Sequence, residues 1–387
     1  MKILYVNTSL DPVWGGGTGE RTLQLCRYTV KKGYDCALLI TDLGLTDGRR
    51  RELSGVKVTA LPTISKRFFL PRFSLAPLRA LVEQADVIHL MGHWSILNAV
   101  IYYLARQANK PYVVCPAGAL PIFGRSRLFK RAYNIIVGKK IIRHASRLVA
   151  ITVDEIKDFT AYGAPRSAVT VIPNGIDPEN YRFNNNQSFR DKFGLGNKPF
   201  ILFLGRLNLI KGPDLLLRAF GALKNELADY QLVLAGPDEG LRPELLRIAE
   251  ESGVKERVCF TGYLGLELKS QALQAAEFLA ISSRSEAMSI VVLEAGAAGR
   301  PVLLTDCCGF NQVSETRGGI VVAASVEGLS DGLLQMAAAK RDLGAMGQNL
   351  QKMVFDRFTW DAIIKQYLAL FNEILAERGK VGNARSI

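Results

Sequence analysis

The sequence predicts an α/β protein of two domains, each alternating strands with helices, and three observations carry that prediction. A chain of 387 residues exceeds one ordinary hydrophobic core and fits two domains of about 150 to 200 residues. Short apolar runs bounded by Gly, Pro and Asn recur with amphipathic stretches between them, the strand–helix–strand pattern of a parallel sheet. A polar stretch rich in Asn, Gly and Pro, residues 178–199, separates two such series. With 48% apolar and 22% charged residues the chain is expected to be globular rather than disordered. No apolar run approaches the ~20 residues that span a bilayer. The opening MKILYVNTSL has too short an apolar core for a signal peptide and reads as a first strand, so a cytoplasmic protein is expected. Its six cysteines show no Cys-x-x-Cys pair or framework spacing, which points to buried free thiols. Three histidines, at 89, 93 and 144, argue against a His-rich metal site.

In the first half, residues 2–10 form an apolar strand that leads through Trp14-Gly15-Gly16-Gly17-Thr18-Gly19 into an amphipathic helix from about Glu20 to Lys32. A glycine turn at that position lets backbone amides approach a phosphate or sugar closely, although many such turns serve only the chain reversal. Further strands are expected at 37–40, 56–59, 86–91, 112–115, 148–152 and 169–172. His89 and His93 fall where a strand runs into its loop, the edge at which parallel sheets place ligands; a hydrogen-bonded structural role fits either imidazole equally.

Charge is distributed unevenly. Residues 1–173 hold 25 Lys and Arg against 11 Asp and Glu, a balance of +14, whereas residues 174–387 hold 24 against 25. Between Asp86 and Asp154 there are ten cations and no acid. Cations alternate with apolar residues over Lys66–Arg79, and again where Arg125, Arg127, Lys130, Arg131, Lys139, Lys140, Arg143 and Arg147 interleave with Leu128, Phe129, Ile135 and Ile136. Such segments suit an anionic lipid surface, a solvated helix face or, as a rival class, nucleic-acid phosphates.

In the second half, strands are expected at 200–204, 231–235, 258–262, 279–281 and 302–304, and an apolar helix through Leu375 follows Phe358-Thr359-Trp360. Arg206 and Lys211 sit in the loop after one strand and just before a helix, a place where a guanidinium and an ammonium can hold a diphosphate. Within Leu279–Asp306, Glu286 lies in the loop before a helix and Glu294 eight residues on, inside it. Unpaired amides at that helix start favour anionic or hydroxyl-rich ligands. Taken singly, each of these residues fits an ordinary solvated position. No Asp-x-Asp pair occurs, so any leaving diphosphate would be neutralised by cations and helix termini rather than by a dedicated carboxylate-held metal.

Together, Gly205-Arg206 with Lys211-Gly212, Ile172-Pro173-Asn174-Gly175-Ile176-Asp177, and Glu286 through Glu294 followed by Gly299-Arg300-Pro301-Val302 resemble the retaining GT-B glycosyltransferases of family four, over nearly the whole chain. The resemblance implies two Rossmann-like doubly wound domains facing an interdomain cleft. An acceptor domain at 1–177 is joined by a C-terminal helix, about 358–378, that crosses back to it, and a nucleotide-sugar domain occupies 178–357. It assigns Arg206, Lys211, Gly16 and Gly17 to the donor diphosphate and Glu294 to the ribose. Glu286, with the amides of Ala287, Met288 and Ser289, would hold the donor sugar, and Gly262 and Tyr263 the base. Two departures stand out: Met91 occupies the position of the family's usual active-site His, leaving His93 as a candidate with Glu286 for catalysis, and Pro116-Ala117-Gly118 replaces Pro-His-Gly.

The expected activity is therefore a metal-independent retaining hexosyltransferase that needs no cofactor and uses a UDP- or GDP-sugar as co-substrate. Its acceptor would be lipid-linked or a surface glycan at the inner face of a membrane, the basic first half would meet anionic lipid, and nucleic acid would not be a partner. Two alternatives stay open: a catalytically impaired sugar-nucleotide binder, and a basic nucleic-acid-binding protein.

Overall fold

A computed structural model of the protein describes all residues except 12–14, 66–68, 123–125, 183–185, 311 and 385–387. Trp14, Lys66, Arg67, Phe68 and Arg125, which entered the sequence reading, lie outside the described residues. The chain divides into two compact units, Met1–Asn174 with Trp360–Ile387, and Gly175–Thr359. Ile176, expected to close the first half, belongs to the second unit, where its amide donates to the Phe358 carbonyl at 2.7 Å.

In the first unit the strands are β1 (Lys2–Val6), β2 (Asp35–Thr41), β3 (Lys57–Leu61), a small antiparallel pair β4 (Thr63–Ser65) and β5 (Leu70–Pro71), β6 (Val87–Met91), β7 (Tyr112–Cys115), β8 (Arg147–Ala150) and β9 (Val169–Val171). Except for that pair they form one sheet in the order β3-β2-β1-β6-β7-β8-β9, parallel throughout. Near-continuous apolar runs such as Ile3-Leu4-Tyr5-Val6 and Tyr112-Val113-Val114-Cys115 are what a sheet covered on both faces requires, and these residues are buried. Within the described part of the basic stretch, residues 69–79, the chain forms the short strand β5 and then enters a helix from Leu75 to Gln84, not one continuous amphipathic segment.

The second unit contains β10 (Phe200–Leu204), β11 (Gln231–Ala235), β12 (Val258–Gly262), β13 (Phe278–Ile281), β14 (Val302–Thr305) and β15 (Gly319–Val322). All pair in parallel in the order β12-β11-β10-β13-β14-β15. This is a Rossmann-type order, and it reverses between β10 and β13. At such a switch point the loops leaving two neighbouring strands diverge to opposite faces and open a crevice at their carboxyl ends. The corresponding reversal in the first unit lies between β1 and β6.

The terminal helix, Trp360–Ala384, is part of the first unit. Lys32 pairs with its Asp361 at 2.6 Å, and Tyr367 packs edge-on against His89 with ring centroids 5.2 Å apart. Arg21, buried, fixes three segments at once: it donates to the carbonyls of Ile172 and Pro173 at 2.8 and 3.0 Å, to Asn174 Oδ1 at 2.5 Å, and to the Tyr367 hydroxyl at 2.6 Å. All six cysteines are unpaired; Cys259 and Cys307 are half-buried and the other four are buried.

Candidate active site

The switch point of the second unit gathers three of the residues singled out in the sequence. The loop after β10 carries Arg206 and Lys211, and the loop after β13 carries Glu286. Across that junction Lys211 Nζ lies 2.8 Å from Glu286 Oε2, and the other carboxylate oxygen accepts from the Ser283 hydroxyl. The Glu286 side chain is only 9% exposed, so the ammonium is its chief charge partner in a partly dehydrated setting, where an ion pair is stronger than on an open surface.

Further bonds stitch the two loops into one body. Arg284 donates from both guanidinium arms to Asp214 at 2.8 and 2.6 Å and to the Leu209 carbonyl at 2.6 Å, while its amide donates to Ile210 O at 2.8 Å. The Ser282 hydroxyl donates to Lys211 O at 3.2 Å. Gly212 makes the approach possible: it has φ +66°, and a Cβ there would lie 2.1 Å from the Ser282 carbonyl oxygen. Pro213 follows as the first residue of the helix Pro213–Ala222, a position where its missing N–H costs nothing.

Arg206 enters the same network from the other side. Its Nη1 donates to Glu239 at 2.7 Å, Asn208 donates to the second oxygen of Glu239 at 2.6 Å, and the Lys211 amide donates to Asn208 Oδ1 at 2.9 Å. A continuous chain of polar contacts therefore joins Arg206 to Glu286. Arg206 stays 45% exposed, open to a ligand on its solvent side. Glu239, Asn208, Ser283 and the Arg284–Asp214 pair were not singled out from sequence. For Glu239 a signal existed, since Gly236-Pro237-Asp238-Glu239 is a strand-end loop next to β10.

Glu294 stands apart from that network. On the second turn of the helix Ile290–Ala297 it accepts from the Tyr181 hydroxyl at 2.9 Å and from Lys269 Nζ at 2.5 Å, and it is buried. The two acids thus have separate partners. The expected amide cradle is also smaller than predicted: the Ser289 amide donates to the Cys308 carbonyl at 3.1 Å and is committed inside the fold, because the loop after β14 packs against this segment. Gly309 permits that packing, for a Cβ there would meet Ala287 O at 2.2 Å. Met288 is buried, and Ala287 is half-buried at the helix entrance. Gly262 ends β12 with φ +70°, and the adjoining Tyr263 ring is exposed, available for stacking on a flat ligand.

In the first unit Gly16 and Gly17 begin the helix Gly16–Lys31 and are exposed after β1. His93 does not fit the catalytic reading. It is 2% exposed, bonded through Nε2 to Asn134 Oδ1 at 3.1 Å, and enclosed by the rings of Trp94, Tyr133 and Tyr162 at centroid distances of 4.6, 5.6 and 5.3 Å. Burial holds it down to about 4, so it is neutral in the fold. His89 is also fully buried and is held to about 3, chiefly by desolvation and further by the nearby Arg21 charge. Glu155, whose Oε2 accepts from the Ile151 amide at 2.8 Å, is pushed up to about 7 by burial. Among the described residues no group of three or more His, Cys, Asp or Glu side chains is arranged to hold a metal ion.

The chain matches known proteins over both of its units. Residues 185–353 match the family described as glycosyl transferases group 1, and residues 16–175 match the glycosyl transferase 4-like domain. The chain is 32% identical over 261 residues to the D-inositol 3-phosphate glycosyltransferase of Nocardia farcinica, a match covering 64% of this chain and 58% of that protein. It is 28% identical over 417 residues to the enzyme of the same name from Mycolicibacterium paratuberculosis, covering 98% and 92%. With the Nocardia farcinica and Gordonia bronchialis relatives the match spans little more than half of their length, 58% and 55%. Among solved structures, Anabaena Alr3699/HepE in complex with UDP and glucose superposes with a TM-score of 0.80 at 19% identity over 96% of this chain and all of that one. Sucrose-phosphate synthase from Thermosynechococcus elongatus gives 0.75 at 20% identity, over 97% and 100%. These structural likenesses establish the fold, GT-B with two Rossmann-like halves.

Proposed function

We propose, because this chain belongs to the group 1 glycosyltransferases, that it moves a hexosyl group with retention of configuration from a UDP- or GDP-sugar to a lipid-linked or surface-glycan acceptor at a membrane. The observation that carries the donor half is the Lys211–Glu286 pair spanning the β10/β13 switch point, with Arg206 tied into the same network. Lys211 and Arg206 meet the diphosphate, and as the bond from the sugar's anomeric carbon to the diphosphate oxygen breaks, the electron pair leaving with that oxygen is met by charge already in place. Glu286, oriented by Ser283, accepts from hydroxyls of the donor sugar, and Glu294 accepts from the ribose. The acceptor hydroxyl attacks the same face that the diphosphate leaves and passes its proton to the departing phosphate oxygen. This route needs no protein base, which accords with His93 being enclosed, and it needs no metal ion.

The solved structure of Anabaena Alr3699/HepE holds UDP and glucose, which supports UDP as the first nucleotide to test. A second reading of the acceptor is favoured by the relatives' names: D-inositol 3-phosphate points to a small polyol phosphate. Thermal-shift screening against UDP-, GDP-, ADP- and TDP-sugars, followed by turnover with each acceptor class, tests both halves. A donor at a hundredfold excess over its Kd stabilises the fold by about 2.7 kcal/mol. If no sugar nucleotide shifts the melting temperature, the donor assignment is wrong; if donors bind and no acceptor yields product above background, the chain is a binder and not a transferase.

A further inference from the structure

The helical segment Arg127–Arg143 of the first unit is apolar on its inner face, as expected, and also on its outer one. It runs as a helix from Arg127 to Tyr133, a π-helical turn at Asn134–Gly138 and a helix to Arg143. Asn134, Val137 and Ile141 recur at three- and four-residue spacing and, with the adjacent Ile142, are buried; the last three join the core of the first unit. That inner face is also pinned by Tyr133, whose hydroxyl donates to Ser95 O at 2.9 Å, and by Asn134, which donates to the Tyr162 hydroxyl at 2.7 Å. On the opposite side Leu128, Phe129, Ile135 and Ile136 are 77%, 74%, 79% and 63% exposed. They are paired seven residues apart, 128 with 135 and 129 with 136, so they form one ridge two turns long. Scattered exposed apolar residues need no explanation; four large ones on one side of a single helical segment do.

Cations frame that ridge. Arg127, Arg131, Lys139 and Lys140 are exposed around it, and no acidic residue occurs between Asp86 and Asp154. Among the described residues Arg127, Arg131, Lys139 and Lys140 take part in no ion pair. From this arrangement we infer that the outward ridge Leu128–Ile136 is the element by which the protein enters an anionic lipid surface: the apolar side chains sit among acyl chains near the headgroups, and the surrounding cations meet lipid phosphates. A second copy of the chain would bring two rings of cations face to face. A nucleic acid would leave the apolar centre against water. Only a surface that is apolar beneath and anionic above satisfies both parts.

The inference rests on the membrane reading proposed above and specifies the side chains that would carry it. The full chain is floated with vesicles of equimolar phosphatidylcholine and phosphatidylglycerol, and with phosphatidylcholine alone. The parent should partition to the anionic vesicles. Ile135→Asp with Ile136→Asp should lose at least about tenfold in partitioning, and Lys139→Gln with Lys140→Gln about 25-fold, near fivefold for each cation. A Phe129→Trp variant should gain fluorescence quenching by brominated lipid relative to the parent. An unchanged melting temperature in each variant confirms that the fold is intact. If the parent floats and the Ile135→Asp, Ile136→Asp variant floats equally well, this ridge is not the anchor, although membrane association stands. If the parent ignores both vesicle types, membrane association and the anchor fall together, leaving donor binding to be judged by its own assay. Sedimentation velocity that finds a dimeric parent and a monomeric Ile135→Asp, Ile136→Asp variant would assign the ridge to a second copy and overturn the inference.

Discussion

Lys211→Met offers the sharpest separation between structural and ligand-binding roles at the switch point. The substitution removes the ammonium 2.8 Å from Glu286 Oε2 while keeping most of the aliphatic stem. Exposed ion pairs contribute up to about 1 kcal/mol, and breaking a buried one costs about 3–5 kcal/mol. With side-chain exposures of 21% and 9% this pair falls between those limits. A loss of about 1.5 kcal/mol, or roughly 3–6 °C in melting temperature for a unit of this size, is the expected stability effect. The ligand effect is larger: a lost charge-assisted contact to a diphosphate is worth about 1.5–3 kcal/mol, which weakens UDP binding by about 10- to 150-fold. Titration calorimetry with UDP and with uridine distinguishes the two, since uridine lacks the phosphates and should bind both proteins alike. Repeating the substitution in a Glu286→Gln background removes the internal pair beforehand, so any remaining loss of UDP affinity belongs to the ligand. UDP binding within twofold of the parent would show that Lys211 serves only to hold Glu286, and the donor-site reasoning would be wrong.

Gly212→Ala should cost at least about 2 kcal/mol, because a left-handed backbone acquires a Cβ and that Cβ meets Ser282 O; chemical denaturation measures it, and UDP affinity should fall as the Lys211 loop shifts. Arg21→Met should cost about 3–5 kcal/mol by stranding the acceptors at Ile172, Pro173, Asn174 and Tyr367, and limited proteolysis should then release the terminal helix more readily. Acid should also weaken the first unit in a separable way. His89 and His93 are neutral when folded and protonate near 6.5 when unfolded, so their contribution is present above about pH 6.5 and is lost as pH falls toward 4, about 2 kcal/mol each by pH 5. Glu155 has the opposite sign: it is raised to about 7, so its contribution is present below about pH 4.5 and is lost as pH rises through 7. Between pH 7 and pH 5 the parent should therefore lose about 2 kcal/mol net, and Glu155→Gln, which lacks the offset, about 4 kcal/mol. Equal acid losses in urea titrations of the two proteins would refute the assignment.

Much of this molecule was legible in its residues. The buried strands announce themselves as unbroken apolar runs, since a parallel sheet covered on both faces has no polar side to reveal. Arg206, Lys211 and Glu286 could be picked out because each follows a strand directly, and strand-end loops of such sheets are where ligands bind. Their partners could not. Glu239 reaches Arg206 only because β11 lies beside β10, and Arg284 meets Asp214, seventy positions earlier in the chain, only because β13 pairs with β10 from the other side. Tyr181 and Lys269 are remote from Glu294 in sequence and carry no mark of converging on it.

His93 shows the same division. Its strand-end position suggested chemistry, but the packing of Tyr133, Asn134 and Tyr162 around it removed both its water and its charge. The ridge at Leu128–Ile136 repeats the point in reverse: alternating cations and apolar residues are visible in the sequence, but which apolar residues face outward follows from the inner face that docks on the core. Local order along the chain thus determined the elements and the loops that could hold a ligand. Non-local strand pairing and side-chain burial decided which charges meet, because electrostatic partners and dehydration are properties of neighbours in space, and those exist only once the chain has folded.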